Sequence, residues 1–106
     1  MYAQITFIKL GQGTINELRI LIRDEYIPAL TRRSGFLSAH LLEQVDDPDM
    51  AQLITFWESQ ESLENWRHTN MLQGSDQSIA ARVPGLRIER QGYIVRVSSE
   101  QELARV

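Results

Sequence analysis

The stretch from Gln52 to Glu58 reads as a β-strand that is apolar on both sides, with Leu53 and Trp57 on one face and Ile54 and Phe56 on the other. Two more segments behave alike. Tyr2 to Leu10 sets Ile5 and Phe7 against Tyr2, Ile8 and Leu10. Phe36 to Val45 sets Phe36 and Leu42 against Leu37, Ala39 and Leu41. An antiparallel sheet with one wetted face alternates apolar and polar residues, and these strands do not. Covering the second face engages roughly eight extra apolar side chains at ~1.5–3 kcal/mol each, a driving force on the order of ten kcal/mol. Association costs consume part of it. A second copy of the same sheet is the simplest cover, so the expected partner is a homodimeric one packed face to face.

The segments between the strands carry helical spacing. Thr14 to Glu17 reads as a capping box. Ile15, Leu18, Ile22, Tyr26 and Ala29 follow as one stripe, which Pro28 is expected to kink or end. Asp46-Asp47-Pro48-Asp49 is a turn by composition. Ser59 is placed to cap a helix carrying Leu63 and Trp66 to about Asn70, and Asp76 to Arg82 reads as one or two further turns. Val83-Pro84-Gly85 stops the helix. Leu86 to Val97 is the last strand, with a change of parity that a bulge at Gln91-Gly92 would reconcile. The order is β-α-β-β-α-β, which is α+β and ferredoxin-like, a four-stranded antiparallel sheet with helices on one face. Residues 1–97 form the expected domain, and 98–106 a polar tail.

At 106 residues the chain has room for one domain. A formal charge of −3 with scattered basic residues gives no footprint for nucleic acid. The absence of cysteine excludes disulfides and thiolate metal sites. No apolar run approaches the roughly 20 residues of a membrane span, and the N-terminus lacks a signal peptide's pattern, so the expected location is the cytoplasm. The Asp46, Asp47, Asp49 cluster lacks an EF-hand's spacing and glycine, and Gly11 and Gly13 fall short of a dinucleotide fingerprint. No metal or cofactor is expected.

The segment Ile54-Thr55-Phe56-Trp57-Glu58-Ser59-Gln60-Glu61-Ser62-Leu63-Glu64-Asn65-Trp66 is a strand ending in Trp-Glu-Ser, then a helix with a second Trp nine residues on. With Pro28-Ala29-Leu30 and Ser34-Gly35-Phe36 upstream, it resembles the antibiotic biosynthesis monooxygenase-like family, from Tyr2 to about Val97. The resemblance implies a dimeric α+β barrel with a pocket between helices and sheet in each subunit. It also implies either cofactor-free oxygenation of phenolic or quinone-like compounds, or heme degradation. The heme-degrading members use an Asn on the first strand, a Trp on the second helix and an iron-ligating His. The matching positions here are Thr6, Trp66 and Asp76. Only the Trp is kept, and an Asp poorly replaces the neutral imidazole that heme iron prefers.

Within that frame Trp66 is either a core side chain or a pocket wall that stacks on a flat substrate. Tyr26 could meet it across the same cavity, and Trp57, Ser62 and Asn70 are further candidates for lining it. His40 is the better histidine for a catalytic base, because its neutral form can accept a phenolic proton near pH 7. His68 should face solvent, and Asp76 suits a helix N-terminus. The expected function is therefore a cofactor-independent, monooxygenase-like enzyme for a small aromatic compound, with His40 and Trp66 in catalytic positions. The alternatives are a non-catalytic small-molecule-binding dimer, or atypical heme binding through His40.

Overall fold

A computed structural model of the chain describes residues 1–67, 83 and 85–99. The elements are β1 (Tyr2–Lys9), α1 (Ile15–Leu21), a π-helical turn (Ile22–Tyr26), α2 (Ile27–Leu30), β2 (Phe36–Glu43), β3 (Met50–Trp57), α3 (Gln60–Arg67) and β4 (Arg87–Ile94). The four strands form one antiparallel sheet in the order β2-β3-β1-β4. The architecture is the ferredoxin-like one expected from the sequence. His68, Asn70, Asp76, the Asp76–Arg82 stretch and the end of the tail lie outside the described residues, as does Pro84 of the Val83-Pro84-Gly85 stop signal.

Strand periodicity decides which side chains the helices cover. Ile8 on β1 and Ala51, Leu53 and Trp57 on β3 pack with Leu18, Leu21, Ile22, Tyr26 and Leu30 from the first helical segments and Leu63 and Trp66 from α3. Each fully buried side chain of this kind contributes about 1.5–3 kcal/mol. The opposite parity, Ile5, Phe7, Ile54 and Phe56, is half-buried, and Leu42 and Tyr93 remain 46% and 45% exposed. Ile5 pairs with Ile54, and His40 with Ile54 on its other side, so these residues form one continuous outward face.

Four local expectations are corrected. The register between β2 and β3 shifts between Phe36 and Ser38, so Leu37 is the extra residue of a bulge. Phe36 therefore turns inward, edge-on to Trp57 with ring centroids 5.5 Å apart, while Leu42 stays outward. The expected bulge at Gln91-Gly92 is absent, because β1 and β4 pair without interruption from Tyr2 with Ile94 to Lys9 with Arg87. Thr14 precedes α1 but makes no capping bond; its hydroxyl donates back to the Gly11 carbonyl at 2.8 Å.

Pro28 does not end the helix. Ahead of it the Ile27 N–H bonds the Ile22 carbonyl, five residues back, and α2 then runs on to Leu30. A proline ring crowds the carbonyl four residues before it; the wider π turn relieves that crowding. Pro28 then falls in the first turn of α2, where a missing N–H costs least.

Candidate functional site

The helix-covered face of the sheet is not a uniform apolar core. Its aromatic part is assembled from three elements. Trp57 ends β3, Trp66 lies on α3, and Tyr26 closes the π turn, a feature that recurs at functional sites. Trp57 and Trp66 stack at 6.2 Å with 27° between their planes, and Tyr26 meets Trp66 edge-on at 5.9 Å. The Arg33 guanidinium carbon lies 5.3 Å from the Trp66 ring centre. Trp66 is only 1% exposed. Its ring is a packing element here, and any ligand beside it meets the cluster as a wall.

A polar band crosses the same face at the centre of the sheet. Gln4 and Thr6 occupy inward positions on β1, and Thr55 sits between Leu53 and Trp57 on β3; all three are buried. Arg90, half-buried on β4, is the register partner of Thr6, and Gly92 is the partner of Gln4. The Trp57 indole N–H donates to Thr55 Oγ1 at 3.0 Å, which fixes both side chains. Buried polar groups cost free energy unless they are satisfied, so a band of them beneath two helices is a feature that packing alone does not require.

Two hollows flank α3. On the side of the α2–β2 link, Arg33, Ser34, Glu61, Ser62, Asn65 and Trp66 enclose about 360 Å³. On the β4 side, Tyr2, Gln60, Leu63, Glu64, Gly92, Tyr93 and Ile94 line a hollow of about 250 Å³ that opens to the surface. A larger groove of about 480 Å³ opens at the far end of the strands, along Phe7, Lys9, Met50, Arg87 and Glu89. Those five share the outward parity, away from the aromatic cluster, and Ile8 and Ile88 between them complete the lining.

α3 itself is fixed by its start. Ser59 Oγ accepts from the Ser62 N–H at 3.1 Å and lies 3.0 Å from Ser62 Oγ, as its sequence position suggested. Ser62 in turn abuts Gly35, whose φ of +81° and lack of a side chain let the link come this close.

Of the residues singled out from the sequence, Tyr26, Trp57, Ser62 and Trp66 are brought together on the helix side. His40 is not. It faces outward beside Leu42, edge-on to Phe56 at 6.2 Å and exposed to solvent. The sheet separates it from Trp66, which corrects the expectation of one pocket lined by both. Gln4, Thr55, Arg33 and Arg90 were passed over. The signal for the first two was legible, since both are polar residues at inward positions of central strands. Among the described residues no cluster of His, Asp and Glu could hold a metal ion, and no helix is long and apolar enough to cross a membrane.

The described residues thus form a four-stranded ferredoxin-like α+β domain with an aromatic and polar interior between α3 and the sheet. The sequence profile of the antibiotic biosynthesis monooxygenases matches residues 1–74, and the chain belongs to that family. A candidate antibiotic biosynthesis monooxygenase from Deinococcus radiodurans superposes with a TM-score of 0.79 at 11% identity, covering 95% of this chain and 98% of that one. SnoaB, a cofactor-independent oxygenase from Streptomyces nogalater, gives 0.78 at 13% identity over 94% and 97%. A conserved protein of Methanosarcina mazei gives 0.70 at 11% identity over 88% and 91%. At these identities the likeness is one of fold. No curated protein matches by sequence.

Proposed function

We propose that the protein is a cofactor-independent oxygenase for a small phenolic or quinone-like substrate, bound between α3 and the sheet. The observation that carries this reading is the buried polar band of Gln4, Thr6 and Thr55, with Arg90 at its edge, set against the Tyr26, Trp57 and Trp66 wall. Membership of the monooxygenase family and the shared fold with SnoaB support the reaction type.

The chemistry asks little of the protein. A phenol that has lost its proton is electron-rich enough to pass an electron to O2. Recombination at the ring and loss of water then give a quinone. One oxygen atom becomes the new carbonyl, the other leaves as water, and the substrate supplies all four electrons. The site needs to hold the ring flat, exclude water and stabilise the anion. The aromatic wall supplies the first two, and the positive charge of Arg90 with the band's hydrogen-bonding groups supplies the third. His40 has no part in this scheme.

A second copy of the chain covers the outward face in this reading. Ile5, Phe7, Ile54, Phe56, Leu42 and Tyr93 make that face too apolar for a solvated surface, and a twofold pairing lets the same patch serve both subunits.

The test is oxygen uptake by chelator-treated protein across a panel of hydroquinones and phenols, for the wild type, Arg90→Gln and Trp66→Phe. Uptake above the protein-free blank that falls in Arg90→Gln supports the reading. Blank-level rates across the panel would refute it.

A further inference from the structure

Gln4 is the least explained residue of the interior. It sits on the central strand β1, is 2% exposed, and among the described residues its Nε2 finds no hydrogen-bond partner. Its neighbours do not resolve this. Thr55, opposite on β3, has its oxygen engaged by the Trp57 indole. Gly92, opposite on β4, has no side chain to offer. A buried amide donor left unmet is costly, and such a group in a native fold calls for a reason.

The reason lies in the space beside it. Gly92 and Tyr2, the cross-strand and i−2 neighbours of Gln4 on the same parity, both line the 250 Å³ hollow under α3. A cavity of about 150 Å³ accepts a benzene ring, so this one has room for one ring with substituents or two fused rings. Gln4 does not itself line the hollow; its cross-strand neighbour Gly92 does, and adds no side chain there.

We propose that Gln4 is the donor that binds an acceptor oxygen of the substrate, a ring carbonyl or phenolate, in the hollow beside Gly92. The inference rests on the aromatic-ligand reading above and adds a selection rule: the ligand carries an acceptor oxygen at the ring edge that points toward β1. A hydrocarbon of the same outline fills the space and leaves the amide unmet. Gln4 thereby sets specificity and position.

The ketone 1-tetralone and its parent hydrocarbon tetralin separate the possibilities by calorimetric titration of wild type, Gln4→Met and Gly92→Val. The wild type should bind the ketone roughly tenfold more tightly than the hydrocarbon, the worth of one hydrogen bond. Gln4→Met, of similar shape but without the donor, should bind both about equally and keep or raise the ligand-free Tm, because an unmet group has been removed. Gly92→Val should weaken both probes. A ketone preference that survives in Gln4→Met, or a ligand-free Tm lowered by about 5 °C or more, would overturn the assignment and make Gln4 a structural residue. If neither probe binds the wild type, both this inference and the aromatic-ligand reading fail. If the Gln4-dependent preference is present while the oxygen-uptake panel stays at blank, the oxygenase reading alone fails.

Discussion

Gly35→Ala tests whether the seam between the α2–β2 link and α3 is as tight as the geometry implies. Gly35 has a φ of +81°, and a Cβ there would overlap Ser62 Oγ and lie 2.6 Å from Ser62 Cβ. Two costs follow. Left-handed backbone costs an L-residue about 1–2 kcal/mol, and overpacking of a filled site costs about 1–3 kcal/mol. The link cannot simply retreat, because the Gly35 carbonyl accepts the Glu58 N–H at 2.8 Å and so ties the start of β2 to the end of β3. Moving Ser62 instead disturbs its contacts with Ser59 at the helix start, worth about 0.5–1 kcal/mol. The sum is about 2.5–6 kcal/mol, or a fall in Tm of roughly 10–30 °C for a domain of this size. Thermal unfolding followed by circular dichroism measures it. In a Ser62→Gly background the steric part should vanish and the backbone part remain, giving a coupling of about 1–3 kcal/mol. A fall of less than about 5 °C in Gly35→Ala would show that the seam yields, and the reasoning would be wrong.

Other outcomes follow from the same geometry. On the proposed twofold pairing, wild type should sediment as a dimer and Ile54→Asp, a charge at the centre of the outward face, as a monomer with the fold retained; a monomeric wild type or an unchanged dimer in the variant would refute that pairing. His40→Ala should leave oxygen uptake within about twofold of wild type, because the sheet stands between it and the aromatic cluster, whereas a loss of tenfold or more would bring His40 back into the chemistry. Hydrogen bonds from Arg19, and then its charge, hold the Glu43 carboxyl below the ordinary carboxylate range. A depressed folded-state pKa adds stability above the unfolded value and loses it as pH falls through the folded one. The small Tm advantage of wild type over Glu43→Gln should therefore be present at neutral pH and shrink as pH falls below the ordinary carboxylate range; an advantage that grows with acidification would contradict the pairing.

How much of this was legible in the sequence depended on how strictly each strand kept its period. β1 and β3 alternate without a break, so their faces were read correctly from Ile5 and Phe7 against Ile8, and from Leu53 and Trp57 against Ile54 and Phe56. β2 hides a bulge at Leu37, an ordinary apolar residue with no glycine or proline to mark it, and Phe36 was turned the wrong way. In β4 the inward positions include Arg90 and Gly92, which broke the apolar pattern and imitated a bulge. The pattern fails there because a charged residue and a glycine take inward positions that the period assigns to apolar side chains. Gln4, Thr6 and Thr55 carried the same message, since polar residues stood where the period demanded apolar ones. Trp66 stands out mainly through the family resemblance that its spacing from Trp57 carries. The separation of His40 from it is a property of the sheet, which linear spacing does not convey.

The central claim is that ligand binds on the helix side of the sheet, beside the polar band. Amide and indole chemical shifts of the isotope-labelled protein, titrated with 1-tetralone, test it most directly. The account predicts saturable shifts at the Gln4, Thr55 and Gly92 amides and at the indole N–H of Trp57 and Trp66, with His40, Leu42 and Phe56 unmoved. Shifts confined to His40, Leu42 and Phe56 would place the site on the outward face and contradict it.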